Sequence, residues 1–298
     1  MERKFYIIPG LRGIPEDQLY PTLKEIGFAG IEAFSGKLTQ ERFDNLASYG
    51  LELIHGGLPY DEDGTVDEEY VALLKKYNID SVAMMKTAPG GFKFKFPDPN
   101  DPNYRYYGMP GFGTYDQVMN AVDQWNKEAE IAGRYGFKIH HHNHTHEFRT
   151  ANFEYLMDIF LKNTAENVTM ELDVGWALVA GIDVVSWIRK WKGRISSLHV
   201  KAACWALGPE GNGHMCPVSP YDKIGYSYRE YMAREDFGKA PQGPMKDSIV
   251  DWTEVFRAAE EGGCTTFILE RERYYKDDPM DCIREDYAHI RQCLNALG

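Results

Sequence analysis

The sequence lacks several features that would assign it to common protein classes. Its 298 residues include five cysteines, none of them in a CxxC pair, so neither a zinc knuckle nor a disulfide framework is indicated. No stretch approaches about 18 consecutive apolar residues, so we expect no membrane span. The N-terminus has neither the long apolar segment nor the small-residue cleavage site of a signal peptide. These absences favour a soluble, cytoplasmic protein.

Positive charge is also scarce. The 33 Lys and Arg residues against 45 Asp and Glu give a formal net charge of −12. A nucleic-acid surface needs clustered Lys and Arg, so we expect no nucleic-acid partner. An acidic enzyme can still bind an anionic substrate locally. The hydrophobic content of 43% is enough for a sizeable core.

Short β-rich segments alternate with segments of helical period along the chain. The eight candidate strands are residues 4–8, 29–34, 51–57, 79–85, 137–144, 167–174, 194–201 and 265–271. The helical patterns cover residues 15–26, 39–48, 67–77, 114–135, 150–164, 183–191, 251–262 and 277–297. Four of the strands follow a glycine turn, in EIGFAG, SYGLE, RYGF and EGGCTTF.

Eight β-then-α units predict an α/β fold, a single (β/α)8 TIM barrel over residues 1–298. A doubly wound sheet is the alternative, but no GxGxxG follows the first strand. Long loops follow strands 4 and 7, at about residues 86–113 and 202–249. Both fall on the face where barrel active sites are built. We interpret them as walls or lids over a pocket, with a subunit-contact arm as the alternative.

The histidine-rich segment HHHNHTHEF, residues 140–148, is the densest chemical signal. Alternate side chains of a strand face the same way, so His140, His142 and His144 are predicted to share one face. A barrel interior is normally filled by branched apolar residues, so polar groups at the end of a strand indicate a site. The alternative is a solvated histidine-rich loop.

Three later strands also end in polar residues. The sixth ends near Asp173, the seventh carries His199 and Lys201 two residues apart, and the eighth carries Glu270 and Glu272. These strand ends converge in a closed barrel. An Asp, a His and one or two Glu suit Mn²⁺, Mg²⁺, Co²⁺ or Zn²⁺. A buried ion pair is the alternative for each residue taken singly.

Ordered segments of the chain resemble the xylose-isomerase-like TIM-barrel superfamily, in particular its sugar phosphate isomerase/epimerase proteins. They are HHNHTHEF (141–148), DVGWALVAG (173–181), GRISSLHVKA (193–202), DWTEVF (251–256) and the ILERE strand. The resemblance implies one divalent metal ion bound by Glu147, Asp173, His199 and Glu270. His142 is the alternative fourth ligand, because relatives place the glutamate inside the strand, where His142 stands here. Ala202 replaces the usual Asp after the lysine, and the usual GEG turn before the DW helix is missing.

The resemblance also implies proton transfer at a carbon next to a carbonyl. A divalent ion would acidify the C–H bond and stabilise the enediolate. Glu147 and Glu270 are the candidate acid/base pair, and Lys201 could stabilise the oxyanion. We expect His55, His142 and His144 to hold hydroxyls of a small sugar-like substrate. Aromatic residues could stack on the sugar ring, namely Trp176, Phe92, Tyr107 and Trp205.

Several functions compete at this stage. The first is an isomerase or epimerase of a keto-sugar or related polyol-derived ketone. The second is a lyase or dehydratase on the same substrate class, including cleavage of an oxidised glycoside. The third is a phosphodiesterase of the AP-endonuclease type, which the charge of −12 disfavours. A non-catalytic binding barrel is the fourth. The resemblance also implies a homodimer or homotetramer.

Overall fold

All eight predicted strands form a parallel sheet around one axis. The computed structural model describes residues 2–8, 14–33, 38–86, 114–203, 243–271 and 274–298. In chain order its strands are β1 (Lys4–Ile7), β2 (Gly30–Glu32), β3 (Glu52–Ile54), β4 (Gly57–Tyr60), β5 (Ser81–Lys86), β6 (Lys138–His142), β7 (Thr150–Ala151), β8 (Glu154–Tyr155), β9 (Val168–Asp173), β10 (Ile195–Val200) and β11 (Thr266–Leu269).

The sheet order is β3-β2-β1-β11-β10-β9-β6-β5-β4, and every neighbouring pair is parallel. Its two end strands, β3 and β4, are successive pieces of one chain segment. Backbone hydrogen bonds join this segment to the neighbouring strand on each side. Ala33 N, just after β2, donates to Ile54 O, and Ala83 N of β5 donates to Gly56 O. The ring therefore continues through this broken third strand, and the TIM-barrel prediction is confirmed.

The break in the third strand lies at His55, where the sequence predicted one continuous strand over residues 51–57. His55 has a φ of 58°, a left-handed conformation that non-glycine residues seldom adopt. The chain resumes strand geometry at Gly57. The kink places the His55 side chain in the barrel interior, where it contacts Glu32 and Glu171.

Nine α-helices of the described residues surround the sheet. They are α1 (Glu16–Ile26), α2 (Gln40–Ser48), α3 (Glu68–Lys76), α4 (Tyr115–Arg134), α5 (Leu156–Asn163), α6 (Val174–Val179), α7 (Val184–Lys190), α8 (Trp252–Glu261) and α9 (Pro279–Asn295). The Thr39 hydroxyl accepts from Arg42 N at the start of α2, as its N-cap position predicts. The four glycine turns are confirmed, since Gly27, Gly50, Gly136 and Gly263 all have φ between 71° and 115°.

Two elements differ from the sequence prediction. The segment predicted as one helix over residues 150–164 begins with the hairpin β7-β8, and α5 is correspondingly short. The six-residue helix α6 directly follows β9 and was not predicted. Most of the two long loops, with Phe92, Tyr107 and Trp205, lies outside the described residues, as does Glu272. Within the described ranges, no helix combines the length and apolarity needed to cross a membrane.

Strand β9 shows how the barrel separates its core from its site. All six of its residues are buried. Met170 and Leu172 belong to the apolar core, whereas Glu171 and Asp173 contact charged groups inside the ring. Because side chains alternate along a strand, one strand supplies both packing and acidic groups. The interior of the barrel is therefore polar near the C-terminal ends of its strands.

Candidate metal centre

Strands β6 and β9 bring the first polar pair together. His142, the last residue of β6, lies in register with Glu171 of β9, and His142 Nδ1 is 3.2 Å from Glu171 Oε1. The other ring nitrogen, Nε2, is 3.9 Å from Asp173 Oδ2. The parallel ladder therefore presents His142 and Asp173 at the same end of the barrel.

Strands β10 and β11 complete the group. His199 of β10 lies in register with Asp173, and its Nδ1 is 2.8 Å from Oε2 of Glu270, which follows β11. The Lys201 ammonium lies 2.9 Å from Asp173 Oδ2 and 3.0 Å from Glu270 Oε2. Ligand atoms of His142, Asp173, His199 and Glu270 all lie within 4.8 Å of one another.

A carboxylate behind the group orients both histidines. Glu171 Oε1 faces His142 Nδ1 and, at 3.0 Å, His199 Nε2. Histidines that bind metals usually hold a carboxylate with the ring nitrogen that is not ligated. His142 Nε2 and His199 Nδ1 are then the nitrogens that face Asp173 and Glu270. Glu32 adds a second contact, 3.0 Å from His199 Nε2.

Asp173 is fixed by the start of helix α6. Its Oδ1 accepts a hydrogen bond from Trp176 N, which makes it the N-cap of the helix. Gly175 allows the helix to approach β10 closely, because a Cβ there would lie 2.7 Å from Lys201 Cβ and from Lys201 O. The DVGW motif therefore holds Asp173 and Lys201 against each other.

The structure does not bring Glu147 into this group. After β6 the chain forms a short 3-10 helix, His146–Phe148, and Glu147 Oε2 accepts a hydrogen bond from His144 N at 2.9 Å. Its Oε1 lies 3.5 Å from His141 Nε2, and the His141 ring packs against Phe160 of α5. Glu147 is thus on the side of β6 that faces the helices, whereas His142 is on the side that faces the barrel axis.

The other predicted binding residues lie around the group. The His144 ring is 5.2 Å from that of His142 and 6.0 Å from that of Trp176. Trp176 is only 3% exposed, and the Lys201 ammonium lies 4.6 Å from its ring centre. Its indole therefore supports Lys201 by a cation–π contact. His55 is deeper in the barrel, beside Glu171.

The buried charges shift one another strongly. Burial raises the pKa of Asp173 to about 6, although the Lys201 ammonium opposes the shift. Burial also acts to raise the pKa of Glu270, but Lys201 and His199 hold it well below its usual range. Burial acts to lower the pKa of His199, but the carboxylates of Glu171 and Glu32 hold that pKa well above its usual value. Such opposed shifts in one cluster are typical of functional sites.

Sequence reasoning missed two acidic residues, Glu32 and Glu171. Both are buried, at 3% and 1% exposure, and both contact His55 and His199. Alternation along β9 could have identified Glu171, because it lies two residues before Asp173 and so on the same face. For Glu32, the only sequence feature that indicates a role in the site is its position at the end of β2.

The sequence matches the xylose isomerase-like TIM barrel family over residues 21–293. The chain therefore belongs to that family. Comparison with curated proteins gave no significant match.

Solved structures share the fold at low sequence identity. A sugar phosphate isomerase/epimerase from Parabacteroides distasonis is 17% identical, with 97% of this chain and 93% of that one covered and a TM-score of 0.57. An L-ribulose 3-epimerase is 16% identical, with 99% and 95% covered and a TM-score of 0.56. A probable 3-DHS dehydratase from Bacillus anthracis is 12% identical, with 97% and 98% covered and a TM-score of 0.58.

Proposed function

We propose that the protein is a divalent-metal-dependent isomerase or epimerase of a keto-sugar or a related polyol-derived ketone. The observation that carries the proposal is the convergence of His142, Asp173, His199 and Glu270, with Lys201, at the C-terminal ends of β6, β9, β10 and β11. Active sites of TIM-barrel enzymes lie at this end of the strands.

The donor set fits a divalent ion. Two imidazole nitrogens and two carboxylate oxygens suit Mn²⁺, Co²⁺ or Zn²⁺ better than Mg²⁺, which prefers oxygen ligands. Asp173 and Glu270 both contact the Lys201 ammonium, so their carboxylates already stabilise a positive charge at this position. His142 takes the place of Glu147 as fourth ligand in this proposal. When bound, the ion would withdraw charge from a carbonyl and its neighbouring hydroxyl.

The chain's own residues would then move the proton. Glu270 is held ionised by Lys201 and His199, so it can accept the proton from carbon at neutral pH. Lys201 can donate to the oxyanion that develops on the substrate. His144, on the same side of β6 as His142, would hold a hydroxyl. Glu147 would act indirectly, because its carboxylate accepts a hydrogen bond from His144 N and so positions that residue.

The substrate class follows from the polarity of the site. Imidazoles, carboxylates and an ammonium line the described part of the barrel end, and such groups bind hydroxyls and carbonyls. An epimerase of a ketose and a probable dehydratase are among the structural neighbours, which is compatible with this class. A homo-oligomer and a cytoplasmic location remain expectations of the same proposal.

Deuterium exchange tests the reaction class directly. The Mn²⁺-loaded protein is incubated in D₂O with a panel of ketoses and 3-keto-glycosides, and products are examined by NMR and mass spectrometry. Deuterium uptake with an intact carbon skeleton is the expected result. Loss of water or of an aglycone would identify a lyase instead, and no turnover of any compound would count against catalysis on this substrate class.

The Glu270→Gln variant tests the base. It should keep part of the metal affinity yet lose solvent exchange into the substrate by a factor of about 10² or more. Glu254→Gln, at an exposed position of α8, is the matched control and should exchange at the wild-type rate. Unchanged exchange in Glu270→Gln would remove Glu270 from its role.

A further inference from the structure

We infer that the barrel holds a second divalent-cation site, deeper than the first, formed by His55, His140 and Glu171. Ligand atoms of these three residues lie within 4.8 Å of one another, and all three are buried. Two imidazoles and a carboxylate form a donor set that suits Zn²⁺ or Co²⁺.

Glu171 lies between the two sites, and each of its carboxylate oxygens faces one of them. Its Oε1 faces His142 and His199 of the first site. Its Oε2 lies 2.8 Å from His55 Nδ1. One carboxylate can therefore orient the ligands of the first ion and bind the second ion directly. Glu32 Oε1, 3.0 Å from His55 Nδ1, is placed to complete the second site.

His140 is oriented as a ligand by its neighbour. Its Nδ1 is 2.8 Å from the Ser81 hydroxyl, and its ring centre is 4.3 Å from that of His55. A hydrogen bond on one ring nitrogen fixes the direction of the other, as is usual for histidines that bind metals. Ser81 lies on β5 and His140 on β6, so two adjacent strands define the position of the ring.

The conformation of His55 supports the same site. A positive φ at a non-glycine residue is a strained conformation, and such residues cluster at functional sites. At His55 this conformation breaks the third strand. The break places the ring beside Glu32, Glu171 and His140 rather than continuing the ladder.

A cavity at the opposite end of the barrel gives the second site its own access route. It has a volume of about 550 Å³, and its wall includes Lys4, Lys138 and Thr266, the first residues of β1, β6 and β11. Its lining extends inward to Ser81 and His55. An ion could therefore reach His55 from the N-terminal face, away from the substrate side.

Metal counting on matched variants tests the inference. Zinc-loaded protein is dialysed to equilibrium and its metal content is measured by mass spectrometry. We expect two equivalents in the wild type, one in His140→Gln, one in Asp173→Asn, and none in the double variant. His289→Gln, on α9 and beside Cys293, is the control and should keep two. One equivalent in the wild type that His140→Gln retains, or two equivalents in His140→Gln, would overturn the second site.

Cobalt spectroscopy separates the two sites without reference to activity. In Asp173→Asn, Co²⁺ should still give visible d–d bands from nitrogen and oxygen ligands, and these bands should disappear when His140→Gln is added. If His140→Gln fails to fold, the cobalt spectrum of Asp173→Asn tests the second site without it. A spectrum of that variant with no d–d bands would contradict the second site. A protein that turns over none of the tested compounds, but loses one equivalent of metal in His140→Gln, would refute the proposed reaction and support the second site.

Discussion

Asp173 shows how one side chain can serve structure and chemistry with different atoms. Its Oδ1 caps α6 by accepting from Trp176 N, and its Oδ2 faces Lys201 and His142. Asparagine keeps an oxygen for the cap but loses the charge. We therefore expect Asp173→Asn to lower the affinity of the first metal site by a factor of about 10² or more. The thermal unfolding midpoint of the metal-free protein should change by less than about 4 °C.

The matched control for this change is Asp251→Asn. Asp251 caps α8 by accepting from Thr253 N, and no described contact joins it to the metal centre. Isothermal titration with Mn²⁺ and a thermal scan of each variant give both quantities. Wild-type affinity in Asp173→Asn would show that the first ion is not bound by this residue.

The pKa shifts of Asp173 and His199 predict how metal binding depends on pH. The pKa of Asp173 is raised to about 6 and that of His199 is well above its usual value. Both groups must lose their protons to bind a metal ion, so affinity rises with pH. Near neutral pH His199 releases at least one proton per ion. Below about pH 6 Asp173 releases a further proton, so affinity there falls by at least about 10²-fold per pH unit.

Calorimetry in buffers of different ionisation enthalpy measures these released protons. Titrations with Mn²⁺ at pH 5.5, 6.5 and 7.5 should give a proton count that falls as pH rises. An affinity that is constant over this range would contradict the assignment of Asp173 and His199 as ligands. These titrations are made with the His140→Gln variant, so that a metal ion in the proposed second site does not contribute.

At the scale of elements, helix α6 positions Asp173 and Lys201 of the candidate metal centre. Gly175 lies where α6 touches β10, and a Cβ there would overlap Lys201 side-chain and backbone atoms. Gly175→Ala should therefore move the helix away from the strand and destabilise the fold by about 1–3 kcal/mol. Because Asp173 caps this helix, Mn²⁺ affinity should fall as well.

Gly133→Ala is the control for that substitution. Gly133 lies in α4, and among the described residues its added Cβ would come within 4 Å of the Asn167 amide nitrogen alone, at 3.3 Å. Alanine has the higher helix propensity, so stability should be unchanged or higher by up to about 1 kcal/mol. Urea unfolding of the two variants, followed by metal titration, compares them. Equal stabilities would show that close packing at Gly175 is unimportant.

The strands and most helices could be predicted because each carries its own local signal. Glycine turns such as Gly27 and the N-cap Thr39 mark element ends. Helix α6 could not be predicted, because six residues that are all buried show no amphipathic period. The kink at His55 also has no local signal beyond the two glycines that follow, since its conformation depends on contacts with Glu32 and Glu171.

At the scale of the whole molecule, the site depends on register between distant strands. The convergence of Asp173, His199 and Glu270 was predictable, because each stands at the end of a predicted strand in a family motif. Whether His142 or Glu147 lies beside them depends on the path of the chain after β6, which alternation does not give. Glu171 and His142 meet only because β6 and β9 pair in the observed register.

The interior charge network also predicts how the whole barrel responds to alkali. His55 bonds Glu32 and Glu171, and so links the second, third and sixth strands of the ring. Burial acts to lower its pKa, but the two carboxylates raise it to about 10. A raised folded-state pKa adds stability that is complete below the unfolded value, near 6.5, and disappears as the pH rises through 10.

The metal-free protein should therefore lose unfolding free energy between about pH 7 and pH 10 because His55 loses its proton. Other groups titrate in the same range, so the informative quantity is the difference between wild type and His55→Gln, measured by urea unfolding in EDTA. That difference should shrink as the pH rises, since glutamine carries no proton to lose. His289→Gln gives the background for a histidine outside the network, and its difference from wild type should stay level. A pH-independent difference for His55→Gln would mean that His55 stabilises the barrel by packing rather than as a buried cation.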